Sequence, residues 1–275
     1  MTTNEDIYTP NAKQLELLRL FYRFRFLTSN HLTIMLDIKL TNPNQIHQRL
    51  KILLDKNYIG RNYDGKYKIH GKPAEYYLLE NGIKALKQFM RDKCDDKVLH
   101  NIYGDKNAKP SSIVQYLKVC TVYCCLKGRY GDSLRFFTKS QIALYEYFPK
   151  QKPEALIRLE VDGEHEEFFL EIIDPIKPFF GYVGKVRRYI EYSDDGTWRD
   201  ETNTKLPKIL VVGDIVGTEI RFQKQAGRLI RKHYDEEPKI YTTNMEKLRT
   251  ITPGYDRVWR DVEEPVQVLA LHEIQ

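Results

Sequence analysis

The stretch PEALIRLEVDGEHEEFFLEIID, residues 153–174, decides how the second half of this chain folds. Two runs rich in Leu, Ile, Val and Phe flank a short polar segment in which Asp162 and Gly163 supply a hairpin turn. The spacing predicts antiparallel strands at 155–161 and 168–173. Glu154 stands just before the first strand and Glu171 lies on the second, so the hairpin brings two carboxylates into one region. Paired carboxylates offer hard oxygen ligands to Mg²⁺, which activates water and stabilises charge at a phosphorus centre while a nearby lysine orients the water. Glu154 and Glu171 are therefore candidate catalytic and metal-binding residues, and Asp174 is a third candidate ligand at the strand's end. Ile173 stands where such a site normally carries its lysine. Lys185, one turn into a helix predicted at 180–192, is the candidate to reach back toward Glu171 in its place.

Around this hairpin the pattern predicts a helix at 112–127, a strand at 134–138 and a short helix at 140–147. Downstream it predicts strands at 208–212, 239–242 and 266–271, with helices at 219–233 and 245–249 between them. A hairpin that leads into alternating helices and strands implies a mixed β-sheet flanked by helices.

The first third reads differently. Leu15, Leu17, Leu18, Leu20, Phe21 and Phe24 recur at helical spacing, and a shorter helix follows after Thr28, Ser29 or Asn30 as cap, with Leu32, Ile34, Met35 and Leu36 inward. A third helix opens at Asn42-Pro43 and buries Ile46, Leu50, Leu53 and Leu54. That periodicity turns Asn44, Gln48 and Lys51 outward, with Gln45 and His47 beside them. Two β-signals follow, YIGRNYDGKYKIH with a turn at Gly65 and GKPAEYYLL after Gly71 and Pro73, and then a closing helix with Ile83, Leu86 and Phe89 inward. Three helices and a hairpin in this order are the parts of a winged helix-turn-helix. Its third helix fits a major groove, where Gln and Asn pair with adenine and Lys bonds guanine. Lys66, Lys68 and Lys72 would meet phosphate or the minor groove from the wing. The expected domains are 1–95 and 111–275, joined by a polar linker at 96–110.

Charge supports double-stranded DNA as the partner. Lys and Arg outnumber Asp and Glu by 16 to 10 over residues 1–95, whereas the remainder balances at 28 to 28. Neutralising phosphates is the main source of affinity for a duplex, which assigns the contact to the N-terminal end. The opening MTTNEDIYTP has no basic segment leading into an apolar one, and no apolar run approaches the roughly 18 residues that span a bilayer, so an unexported protein without a membrane partner is expected. Cys94, Cys120, Cys124 and Cys125 have neither a disulfide nor a paired zinc spacing, which fits small core residues in a reduced cytosol. GYVGKV at 181–186 has glycines too closely spaced for a phosphate loop. The basic helix RFQKQAGRLIRKHY reads as a solvated face or a secondary phosphate track, with Ile220, Leu229 and Ile230 inward. Seven scattered histidines lack the cluster of a metal-dependent tyrosine relaxase.

With these residues assembled, the chain resembles the replication-relaxation family of plasmids and integrative elements. The resemblance is carried by LLRLFYRFRFLTSNHLTIML and GKPAEYYLLENGIKAL in the first half, by VLHNIY, and by FFLEIID and GKVRRYIEY in the second. It implies an α+β chain of two domains, a winged helix followed by a restriction-endonuclease-like domain similar to PD-(D/E)XK nucleases. On this likeness Glu171 corresponds to the family's strand acid, and Lys185 with Tyr189 to its Lys and Tyr on the next helix. Glu154 departs from the aspartate that the nuclease name implies, and Asp174 falls one place beyond the commoner Glu-x-Asp spacing. The implied function is a DNA-binding accessory role in replication, relaxation or transfer in a bacterial cytoplasm, alongside replication or relaxase proteins and as a possible homodimer. Two alternatives stay open: a Mg²⁺-dependent endonuclease that nicks DNA, and a transcriptional regulator whose second domain is a non-catalytic module.

Overall fold

A computed structural model describes residues 9–37, 44–90, 94–161, 163–173, 178–233 and 238–274. They form two compact units, Met1–Cys120 and Thr121–Gln275.

In the first unit, α1 (Ala12–Phe24) starts at a reciprocal cap in which the Gln14 amide donates to Asn11 Oδ1 at 3.0 Å and the Asn11 amide donates to Gln14 Oε1 at 2.9 Å. Its Leu17, Leu18, Phe21 and Phe24 are buried. After β1 (Leu27–Thr28) come α2 (Ser29–Met35) and α3 (Asn44–Asp55). Burial of Ile46, Leu50 and Leu53 at i, i+4 and i+7 fixes the rotation of α3. The Tyr58 amide donates to Leu53 O at 2.9 Å and turns the chain into β2 (Ile59–Asn62). Next are α4 (Gly65–Ile69), β3 (Glu75–Leu78) and α5 (Glu80–Met90). The three strands make an antiparallel sheet in the order β1-β3-β2, with Ile59 opposite Leu78. At Gly82 a Cβ would run into the Tyr58 carbonyl, so glycine lets α5 approach the sheet.

Three expectations for this region change. The second strand does not run on to a turn at Gly65; it stops at Asn62, because Asp64 Oδ1 accepts from the amides of Lys66 (2.9 Å) and Tyr67 (3.0 Å) and starts α4 instead. Ile34 and Phe89, expected inside, are each 50% exposed. Residues 96–110 are no linker: they form α6 (Asp96–Tyr103), a 3₁₀ turn at Asp105–Asn107 and the start of α7 (Pro110–Tyr130). Buried contacts explain this. Arg25 grips Asp105 through Nε–Oδ2 at 2.8 Å and Nη2–Oδ1 at 2.5 Å, and also donates to Asn101 O at 3.0 Å. The Asp95 amide donates to Tyr22 OH at 3.0 Å. The division between the units falls within α7.

The second unit is built on a six-stranded mixed sheet in the order β4-β5-β6-β7-β8-β9. The strands β4 (Leu134–Thr138), β5 (Ala155–Val161) and β6 (Glu164–Ile172) run antiparallel, with Ile157 opposite Phe168. Then β7 (Lys208–Gly213) and β8 (Ile240–Asn244) run parallel to β6, and β9 (Arg260–Asp261) pairs antiparallel to β8. A short α8 (Lys139–Ile142) follows β4, and α9 (Phe180–Asp194) with α10 (Thr197–Thr202) connects β6 to β7. The last two helices are α11 (Val216–Ile230), between β7 and β8, and α12 (Met245–Arg249). Phe169, Ile173, Ile209 and Val211 of the sheet share one core with Tyr182, Val186 and Tyr189 of α9 and Phe222 and Ala226 of α11. On the other face the Tyr123 ring of α7 meets Phe136 edge-on at 5.3 Å.

The final strand expected at 266–271 is replaced by one bridge, Trp259 with Leu269, and a closing 3₁₀ turn at Leu271–Glu273. Pro265 has no amide to donate, its carbonyl is taken by Arg260 Nη1 at 2.7 Å, and Val266 is 91% exposed. On α11, Ile220 faces outward at 44% exposure, contrary to its expected inward side. All four cysteines are free thiols, and among the described residues no helix is long and apolar enough to cross a membrane.

Candidate functional site

Strand alternation sends Phe169, Glu171 and Ile173 to the same side of the sheet. Phe169 and Ile173 join the core, which leaves the Glu171 carboxylate, 3% exposed, between two apolar neighbours. Two residues one helical turn apart on α9 answer it. Lys185 Nζ forms an ion pair with Glu171 Oε2, and Tyr189 OH donates to Glu171 Oε1 at 2.8 Å. Burial pushes the Glu171 carboxyl above its ordinary range; the Lys185 ammonium opposes that rise and the nearby Glu154 carboxyl adds to it. The Tyr189 phenol is pushed well above its ordinary value, by burial first and then by the Glu171 charge. Ile173 explains why no lysine occupies the strand: that position is 2% exposed inside the core, where an ammonium would have no water. The cation comes from the helix instead.

Glu154 is half-buried at the entry to β5, held by its amide donating to Leu170 O at 2.8 Å and its carbonyl accepting from the Lys139 amide at 3.0 Å. The hairpin thus brings Glu154 and Glu171 into electrostatic contact. Asp174, the third candidate ligand, lies outside the described residues. A cleft of about 270 Å³ opens over Glu171 and Lys185, lined also by Lys150, Gln151, Arg188 and Tyr192 among others, and Arg188 Nη2 donates to Gln151 Oε1 at 2.7 Å. Among the described residues no group of three or more His, Cys, Asp or Glu side chains converges to hold a metal ion. Glu171 has an ammonium on one oxygen and a phenol on the other, so in the described residues its charge is met by protein donors.

In the first unit, Asn44, Gln45, His47, Gln48 and Lys51 are all exposed along α3, opposite its buried Ile46, Leu50 and Leu53. Lys66 and Lys68 are exposed on α4, and Lys72 just beyond it. These lysines sit on a helical tip between β2 and β3 rather than on the flanks of a plain hairpin. Gly71, at φ +61°, reverses the chain there, and the Lys72 amide donates to Tyr67 O at 2.9 Å.

Reading the sequence missed another buried carboxylate in the second unit. Glu219 on α11, 2% exposed, accepts from Lys247 Nζ at 3.0 and 2.9 Å and from Asn244 Nδ2 at 2.5 Å, while Asn244 Oδ1 caps α12. Its partners lie a strand and a helix away, so no local spacing signals it; it ties α11 to the end of β8.

No protein-family model and no curated protein matches the chain. Among solved structures it is similar to restriction endonuclease FokI, at 13% identity and TM-score 0.34, over 86% of this chain and 41% of that one. FokI bound to DNA is similar at 12% identity and TM-score 0.34, over 86% and 43%. The chain therefore spans less than half the length of either. At this level of superposition the architecture rests on the mixed sheet and its helices themselves.

Proposed function

We propose that this chain is a duplex-DNA-binding accessory protein of a plasmid or integrative element, in which the first unit is a winged helix and the second a nuclease-like scaffold that does not depend on a metal. The observation that carries the reading is the exposed amide and lysine face of α3, Asn44, Gln45, Gln48 and Lys51, on a helix whose other side is fully packed. Such a face offers paired hydrogen bonds to base edges, and the lysines of the α4 tip offer charge to phosphates. Charge supports the same assignment: Lys and Arg stand against Asp and Glu at 20 to 12 in residues 1–120 and at 24 to 26 in residues 121–275.

In the second unit the ion pair of Glu171 with Lys185 supports a structural use of the nuclease-like constellation. The ammonium neutralises the buried carboxylate from within, which is the service a metal would render from solvent. A role in replication, relaxation or transfer, with relaxase or replication proteins as partners, follows from the family resemblance.

Binding to fragments of the element that encodes the chain tests the whole reading. Origin fragments should be preferred, Gln48→Ala and Lys51→Ala should erode that preference, and affinity should fall steeply between about 50 and 200 mM salt. Preference for promoter fragments would make it a transcriptional regulator. Supercoiled plasmid with Mg²⁺ or Mn²⁺ should remain intact; nicking by the wild type but not by Glu171→Ala would make it an endonuclease.

A further inference from the structure

Among the described residues of the first unit, the most exposed large apolar side chain is Ile69, at 81%. It ends α4, at the tip of the β2–β3 connection, and its neighbours are basic: Lys66, Lys68, His70 and Lys72 are all exposed. A lone exposed isoleucine is common on protein surfaces. This one is held in place. Tyr67 points inward and donates from its OH to Glu75 Oε2 of β3 at 2.8 Å, Asp64 caps the other end of the helix, and the Tyr63 ring lies 6.2 Å from the Tyr67 ring. Two residues along a helix is a rotation of about 200°, so anchoring Tyr67 to the sheet aims Ile69 away from it. Lys66, three residues earlier, shares its side.

We infer that Ile69 is a wedge that enters the minor groove of duplex DNA and partly unstacks a base step, with Lys66, Lys68 and Lys72 straddling the phosphates on either side. The inference rests on the DNA-binding reading above and adds to it a mode of contact that deforms the duplex. Charge selects the occupant: an apolar tip ringed by three lysines repels a basic partner and matches a groove with polyanionic walls, whose stacked base pairs an apolar side chain can enter between. Pyrimidine–purine steps, which unstack most readily, are the preferred points of entry.

The probe is a short alternating TA duplex carrying one 2-aminopurine, whose fluorescence rises when its neighbours unstack. Full-length protein should raise that signal saturably. Ile69→Ala should abolish the rise and weaken binding about tenfold, with the salt dependence of binding unchanged, and Ile69→Leu should restore both. Lys66→Ala with Lys68→Ala should lower the slope of log K against log salt by about 2 while leaving the fluorescence rise at saturation intact. Two results overturn the wedge alone: wild-type binding without a fluorescence rise, or a rise that survives Ile69→Ala. Failure of the wild type to bind this duplex or any origin fragment overturns the wedge together with the DNA-binding reading. Loss of a protein contact on Ile69→Ala, with DNA binding untouched, would reassign the tip to a protein partner and overturn the wedge as well.

Discussion

Glu171 is held between apolar neighbours by one cation and one phenol, and the cost of that arrangement depends on which partner is removed. Lys185→Met leaves the carboxylate buried without its cation, and loss of about 3 kcal/mol of stability is expected at neutral pH. Glu171→Gln has the opposite sign. Burial raises the carboxyl, so the folded state favours its protonated form; the stability this confers is full below the ordinary glutamate pKa and is lost as pH rises through the folded value. A neutral amide of the same shape retains that stability at pH 7, so Glu171→Gln should match or exceed the wild type there and converge with it below about pH 4.5. The double variant should recover most of what Lys185→Met loses. Urea unfolding of the four proteins at two pH values checks the cycle, and a Lys185→Met protein as stable as the wild type would remove the pair from the account. The Lys185 contact itself was legible, because a lysine one turn into the helix after the strand can reach back. The depth of Glu171 was not: alternation tells that positions 169, 171 and 173 share a face, but not that α9 and α11 cover it.

Among the elements, α2 shows how a short helix acquires a pH dependence. Thr28 and His31 cap it reciprocally: the His31 amide donates to Thr28 Oγ1 at 3.3 Å and the Thr28 amide donates to His31 Nδ1 at 3.4 Å. Nδ1 accepts only while the ring is neutral, and burial lowers the His31 pKa to about 4. The unfolded chain takes up this proton first, near pH 6.5, so the stabilisation is complete above that value and is lost as pH falls toward about 4. His31→Gln keeps an N3 acceptor without a titrating group. Its thermal unfolding should therefore decline less than that of the wild type between pH 6.5 and 4, the gap reaching on the order of 2 kcal/mol; parallel curves would show that His31 does not carry the dependence. A cap at Thr28 could be read from the TSNH segment, as could the strands at Leu134–Thr138 and Ala155–Val161, where apolar runs end at sharp polar breaks. Elements set by distant partners could not. Arg25, 80 residues away, holds the turn at Asp105, and α4 replaced an expected strand through one capping aspartate.

At the scale of the whole molecule, the distribution of charge was legible but its boundary was not. Extending the first unit from residue 95 to Cys120 adds α6, the turn at Asp105 and the start of α7, and the surplus of basic over acidic residues grows from 6 to 8. Charges in solvent act over a screening length of about 8 Å at physiological salt, so net charge alone does not make a binding surface; location does. Two charge reversals of equal size separate these effects. Lys51→Glu with Lys66→Glu alters the proposed DNA face, whereas Lys224→Glu with Arg228→Glu makes the same change in total charge on the exposed side of α11. If the duplex is held by the first unit, the former pair should weaken binding at physiological salt by well over tenfold and the latter by less than about threefold, measured by fluorescence anisotropy on an origin fragment. Equal losses would mean that the duplex also tracks along α11, turning that basic helix from a solvated surface into a second phosphate contact and making DNA binding a property of both units.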